Sequence, residues 1–139
     1  MPVVSAAISL STQGEAQVVD ITGELGRAIA ESGLAAGVAT VFVPGATGAV
    51  TTIEYEGGLL EDIDDLFERL APSGVSYAHN RSAGDDNGHA HVRASLLGPS
   101  LGVPFADGAP LLGRWQSVVF IDFDTRPRRR DLVVQMIGE

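Results

Sequence analysis

In the segment Val4-Ser5-Ala6-Ala7-Ile8-Ser9-Leu10, the apolar Val4, Ala6, Ile8 and Leu10 recur at every second residue and share one face, the pattern of a half-buried strand. A chain that opens this way must supply a sheet with at least one covered face. Gly14 breaks the run, and Glu15 to Ile21 reads as a second strand. Thr22 then stands at an N-cap position, ahead of a helix with Leu25, Ala28 and Ile29 on one stripe and a stop at Ser32-Gly33. Val38 to Val43 is a β-branched run closed by Pro44, Gly45 to Gly48 is a loop, and Ala49 to Tyr55 has the composition of a strand.

The clearest helix follows. Leu59, Ile63, Leu66, Phe67 and Leu70 fall on one face, Glu61, Asp62, Asp64, Asp65 and Glu68 cover the other, and Pro72 ends it. Ser73 to Gly88 is polar and turn-rich, a long loop of the kind that carries function. Val92 to Leu97 is too short for periodicity to decide between helix and strand. Val103 to Phe105, Leu111 to Phe123 and Asp131 to Ile137 read as strands, with Asp124 to Arg130 as the hairpin connection between the last two. Some eight strands and two or three helices, not regularly alternating, predict an α+β fold: one domain over residues 1–139, built of mixed or antiparallel sheets in a sandwich-like arrangement.

Charge narrows the chemistry. All nine basic residues are arginine, and neither lysine nor cysteine occurs, which excludes a Schiff-base or P-loop lysine, disulfides, thiolate nucleophiles and cysteine-ligated metal. A net charge of −9 argues against nucleic acid or an anionic membrane as partner. No basic leader and no long apolar span is present, so a cytoplasmic protein is the expectation. The charge is uneven: residues 1–80 set eleven acids against Arg27 and Arg69, whereas residues 81–139 balance seven acids with seven arginines. The second half is therefore the place for an anionic small molecule.

The three histidines, His79, His89 and His91, lie within thirteen residues of one Asp-rich stretch. If the chain around His89 and His91 is extended, their imidazoles share a side and could bind one metal ion, with His79 as a third ligand; if it is helical, they diverge by about 200°. Asp85 and Asp86 are candidate oxygen ligands or orienting partners. The alternative is a polar loop whose histidines and aspartates only bond to backbone and to each other. Glu54 and Glu56, two apart on a predicted strand, offer paired carboxylates for metal or base chemistry or form a solvent face. Arg126, Arg128, Arg129 and Arg130 are the one basic cluster and could clamp a phosphate, salt-bridge an acidic helix of a neighbouring subunit, or remain solvated.

Tyr77-x-His79-Asn80, Asp85-Asp86-Asn87-x-His89-Ala90-His91, Ala94 to Ser100, Gly113-x-Trp115-Gln116 and Arg128 through Glu139 together resemble the YjbQ-like family, also described as the secondary thiamine-phosphate synthase type. The resemblance implies an α+β domain, a homotrimer, a divalent metal (zinc first) held by His79, His89 and His91, and a pocket lined by Asp86, Asn87 and Ser95 with Trp115 and Gln116 beside it. The implied activity is weak thiamine-phosphate synthesis, joining a pyrimidine methyl diphosphate to a thiazole phosphate. In that reading Arg128 and Arg130 hold phosphate and Glu54 is a catalytic carboxylate. The same residues would also suit a metal-dependent hydrolase of a small phosphate or ester, or a non-enzymatic trimeric binding protein. Many members carry His-Thr-Thr where this chain has Gly45-Ala46-Thr47, which marks a subtype.

Overall fold

The alternating opening segment is β1 (Val3–Thr12), and it pairs antiparallel along its whole length with β8 (Arg128–Gly138), from Val3↔Ile137 to Thr12↔Arg128. The computed structural model describes residues 1–139. Between these two strands run β2 (Gln17–Asp20), α1 (Thr22–Ser32), β3 (Gly37–Phe42), β4 (Gly48–Ile53), α2 (Gly57–Leu70), α3 (Ala78–Ala83), α4 (Gly88–Leu97), β5 (Ser100–Ala106), β6 (Ala109–Pro110) and β7 (Ser117–Asp122). A five-stranded sheet has the order β1-β8-β3-β5-β6 and a three-stranded sheet the order β2-β7-β4, every ladder antiparallel.

The chain stacks in three layers. Alternate residues of the larger sheet, among them Ile8, Val41, Leu132, Val134 and Met136, meet α1 through Leu25 and Ile29 and one face of the smaller sheet through Val50, Val118 and Phe120. The other face of the smaller sheet, with Ala49, Val119, Ile121 and Phe123, is covered by Phe67 of α2 and by Ala90 and Ala94 of α4. β7 is thus buried on both faces, which is why its Val118-Val119-Phe120-Ile121 run does not alternate. Nothing in the chain covers the outer face of the larger sheet.

The α+β expectation holds, with four helices rather than two or three. The stretch from Ser73 to Gly88 is no open loop: α3 lies inside it and α4 starts at its end, so Val92 to Leu97 is helical. Thr22 is the first residue of α1 and not its cap: Ile21 holds the N-cap position without a side-chain bond, and the Asp20 carboxylate before it accepts from the Thr22 N–H at 3.0 Å. The strand predicted over Leu111 to Phe123 begins only at Ser117, because the Gly113 N–H bonds Gln116 Oε1 at 2.8 Å and folds the preceding residues into a turn. Arg128 to Arg130 are not a hairpin connection but the start of β8, drawn into the sheet by the full length of β1. Glu54 and Glu56 lie beyond β4, and Glu56 caps α2 by accepting from the N–H groups of Gly58 and Leu59 at 3.0 and 2.8 Å.

Candidate functional site

Two strands that belong to different sheets each bring one charge to the same end of the sandwich. On β7 the residue after the apolar run is Asp122; on β8 the inward-facing series Met136, Val134, Leu132 ends in Arg130. Arg130 donates from Nε and Nη2 to the two oxygens of Asp122 at 2.9 and 2.8 Å, and both residues are shut away from solvent. Thr12 Oγ1 donates to the same carboxylate, as does the N–H of Asp124 at 3.0 Å. The guanidinium also lies over the Phe120 ring, 5.6 Å from its centre, so the pair acts as a bolt between the sheets. Burial opposes the ionisation of Asp122, but Arg130 and the two other donors outweigh it and hold the carboxyl below its ordinary range.

The bolt continues outward. Arg130 Nη2 donates to Thr47 Oγ1 at 2.9 Å, Thr47 Oγ1 donates to Asp124 Oδ2 at 3.0 Å, and Asp124 also accepts from Arg128 Nη1 at 2.9 Å, Asn87 Nδ2 at 3.3 Å and the Thr125 N–H at 2.8 Å. Burial again disfavours the charged form, yet these donors pull Asp124 down to about 2. Asp124 is further braced by the β1–β2 turn, where Gly14, Glu15 and Ala16 all have positive φ and the Glu15 N–H bonds the Asp124 carbonyl at 2.7 Å. A Cβ at Gly14 would collide with that carbonyl, so only glycine fits.

Because ionised Asp124 can only accept, Asn87 must turn its amide nitrogen toward it. Asn87 Oδ1 is then a buried acceptor without a donor. Asn87 precedes α4, and at intervals of four residues His91 and Ser95 continue the same stripe. This stripe runs between two open clefts. One, of about 350 Å³, is lined by Asp85, Asn87, Asp124, Arg126, Pro127 and Arg128; the other, of about 210 Å³, is formed by Gly45, Ala46 and Gly48 facing Ala94, Ser95, Gly98 and Pro99. Half-buried His79 of α3 meets half-buried His91, their ring centres 4.4 Å apart.

Asn87, His79, His91, Ser95 and Arg128 are therefore brought to one region, and the other predicted residues are not. Because α4 is helical, His89 points away from His91 into the interior, 6.4 Å from the Tyr77 ring, with Nε2 unpartnered. Burial first, and then the charge of Arg93, lower its pKa, so it is neutral. No group of three His, Asp or Glu side chains converges as a metal site would need, and the chain by itself offers two imidazoles rather than three. Asp86 is exposed and bonds Thr125 Oγ1 at 2.9 Å, the main reason its carboxyl lies below its ordinary range, with Arg126 beside it. Glu54 is exposed at the other end of β4. Trp115 and Gln116 lie there too: Ser117 pairs with Ile53 whereas Asp122 pairs with Gly48, a separation of about 17 Å along the strands. Trp115 is 64% exposed with Arg114 stacked on it, and Arg130 is a buried support rather than a ligand clamp.

Asp122, Asp124 and Thr47 are the site residues that sequence reasoning passes over. One signal was readable: an Asp-x-Asp following an unbroken apolar run has to be paired.

A family model described as UPF0047 protein YjbQ-like matches residues 6–139. The chain belongs to this family. It is 38% identical over 130 residues to a UPF0047 protein of Archaeoglobus fulgidus, covering 94% of this chain and 98% of the relative. A UPF0047 protein of Methanothermobacter thermautotrophicus is 37% identical over 139 residues, covering 100% and 95%. Among solved structures, a YbjQ-like protein of unknown function from Sulfolobus solfataricus superposes with a TM-score of 0.93 at 32% identity over 99% of each chain. A hypothetical protein from Aeropyrum pernix gives 0.90 at 32% identity, over 98% of this chain and 99% of that one. No helix is long and apolar enough to cross a membrane.

Proposed function

We propose that this chain is a transferase of the thiamine-phosphate synthase type, acting as a homotrimer on small phosphorylated heterocycles held along α4. The observation that carries the reading is the Asn87–His91–Ser95 stripe lying between the glycine-rich 45–48 loop and the Arg126 and Arg128 guanidinium groups. The reaction suits such a site. A thiazole nitrogen attacks the methylene of the pyrimidine, the carbon–oxygen bond breaks, and diphosphate departs with the electron pair, leaving a quaternary nitrogen. No proton needs to be removed from the nucleophile, so the protein's task is to orient two rings and neutralise an oxyanion. Arginine at the rim does the second, and the partly exposed His91 and exposed Ser95, on a helix whose start is fixed by the Asn87–Asp124 bond, offer polar contacts for the first.

The three-histidine metal set does not fit one chain, so no step is routed through a metal ion. His79 and His91 would need their further ligands from solvent, substrate or another copy. The test is direct: purified protein is given both precursors and product is followed by chromatography. Product above the buffer blank, falling at least tenfold in Arg128→Ala and in Asn87→Ala, is the expected result. Absence of product, or rates in both variants equal to the wild type's, overturns the reading, and turnover with water alone converts it to a hydrolase.

A further inference from the structure

Arg130 spends two of its three guanidinium nitrogens on the bolt. Nε and Nη2 hold Asp122, and Nη2 also reaches Thr47, whereas Nη1 bonds nothing. The residue is 3% exposed, and the fully enclosed side-chain atoms left without a partner are Asn87 Oδ1 and His89 Nε2. Nη1, unpaired as well, therefore keeps the little surface that Arg130 has. It stands beside Gly45: a Cβ built there would lie 3.4 Å from Nη1 and meet no other atom within 4 Å. Glycine at this position leaves the nitrogen uncovered, and its φ of +121° is one that L side chains rarely adopt.

The same loop carries three more donors. The N–H groups of Gly45, Ala46 and Thr47 bond no acceptor in the chain, although Thr47 is buried and its carbonyl takes the Phe123 N–H at 2.9 Å. Successive free N–H groups in a turn form a concave binder of anions. The cleft of about 210 Å³ opens over this loop, with Ser95 and Pro99 on its far side, and none of its lining residues is acidic. The nearest carboxylates, Asp122 and Asp124, are already engaged by Thr12, Arg130, Thr47, Arg128 and Asn87.

We propose that the 45–47 loop and Arg130 Nη1 form a binding site for one phosphate group, that of a small phosphomonoester whose body lies in the cleft toward Ser95. This goes beyond the proposed reaction, which neutralises its oxyanion with Arg126 and Arg128 on the other side of the α4 stripe, and it does not depend on catalysis. Donor number selects phosphate over carboxylate. Three terminal oxygens can take the loop amides from one side and Nη1 from another, and a charge of about −1.5 to −2 strengthens each bond. A flat carboxylate offers two oxygens.

The probe is inorganic phosphate on the full chain with no precursor present, so its failure is separate from a failure of the transferase reading. In an amide NMR titration at neutral pH, the Gly45, Ala46 and Thr47 signals should shift together and saturate, while acetate at equal concentration leaves them in place. In calorimetry, Gly45→Ala, which sets a methyl against Nη1, should weaken phosphate binding at least tenfold. Ser95→Glu, which adds a carboxylate to an exposed position of the cleft wall, should do the same, and Arg126→Ala in the other cleft should stay within twofold of wild type. Should Gly45→Ala fail to fold, Ser95→Glu and the amide shifts decide. Shifts that do not saturate, which mark an adventitious ion only, or binding lost in Arg126→Ala and kept in Ser95→Glu, overturn the site. An equal response to acetate overturns the choice of phosphate.

Discussion

Replacing Arg130 with methionine removes one side of the buried bolt and leaves the other. Asp122 would keep the Thr12 hydroxyl and the Asp124 N–H but lose a two-pronged partner at 2.8 and 2.9 Å, with no water to replace it. Two unit charges about 4 Å apart attract by about 4 kcal/mol at an effective dielectric constant near 20, which agrees with the 3–5 kcal/mol typical of breaking a buried pair from one side. Thr47 loses a donor as well. Arg130→Met should therefore lower the free energy of unfolding by about 4 kcal/mol at pH 7, a large share of the stability of a domain this size. The sign of its pH dependence is a second check. In the wild type the Asp122 carboxyl lies below its ordinary range, so its contribution is complete above about pH 4 and is lost as pH falls through the folded value. In the variant, burial, the largest influence on this carboxyl, is opposed only by the Thr12 hydroxyl and the Asp124 N–H and moves it up, so acidification from pH 7 to 5 should narrow the gap to wild type. Urea unfolding followed by circular dichroism at both pH values measures this, and Asp122→Asn/Arg130→Met should recover part of the loss because no unpaired charge remains. A variant within 1 kcal/mol of wild type at pH 7, or a gap that widens with acid, would refute the reasoning.

Asp124, pulled to about 2 and nearly buried, contributes about 2 kcal/mol that is present above pH 4 and disappears as pH falls toward 2; Asp124→Asn should flatten that limb of a stability-against-pH curve. His91→Ala should leave the melting temperature within 2 °C of wild type, because its half-buried ring packs against the half-buried His79 near the surface, as read by thermal unfolding. His89→Ala should instead lower stability by about 2 kcal/mol through the cavity left beside Tyr77, as read by urea unfolding. Gly37→Ala would drive a Cβ into the backbone of Ile137, whereas Gly57→Ala meets open space; the first should cost more than about 2 kcal/mol in urea unfolding and the second nothing measurable.

The strands and the acidic helix α2 were legible because their periods are local properties of the chain. The α3–α4 region was not, since Ala78 to Ala83 and Gly88 to Val92 lack an apolar stripe and their helices rest on tertiary cover: Ala90 and Ala94 against β7, and Arg93 reaching the Ala71 carbonyl and Glu68 at 3.0 and 2.9 Å. That one misreading separated the histidines. An extended His89-Ala90-His91 puts both imidazoles on one side, and one helical turn sends His89 inward and leaves His91 with His79. Of the arginine cluster, composition could show that any phosphate bound here would fall to arginine, since lysine is absent, but not which arginine is spent on structure. Position along β8 decides that: Arg128 reaches the cleft rim, Arg130 faces inward, and Arg129 lies outside with Asp131.

The pairing of β1 with β8 joins segments 116 to 134 residues apart, and β8 also separates β1 from β3. During synthesis the first strand therefore has no sheet to enter until Arg128 to Gly138 have left the ribosome. Through that interval β1 must wait unpaired and β3 has only β5 as a partner, a topology of slow closure and early exposure to aggregation. A permuted chain that begins at Ala109 and links Glu139 to Met1 would make the β8–β1 pair a hairpin. It should keep the same structure while folding faster, so the delay would belong to the order in which the strands are made and not to the finished sheet.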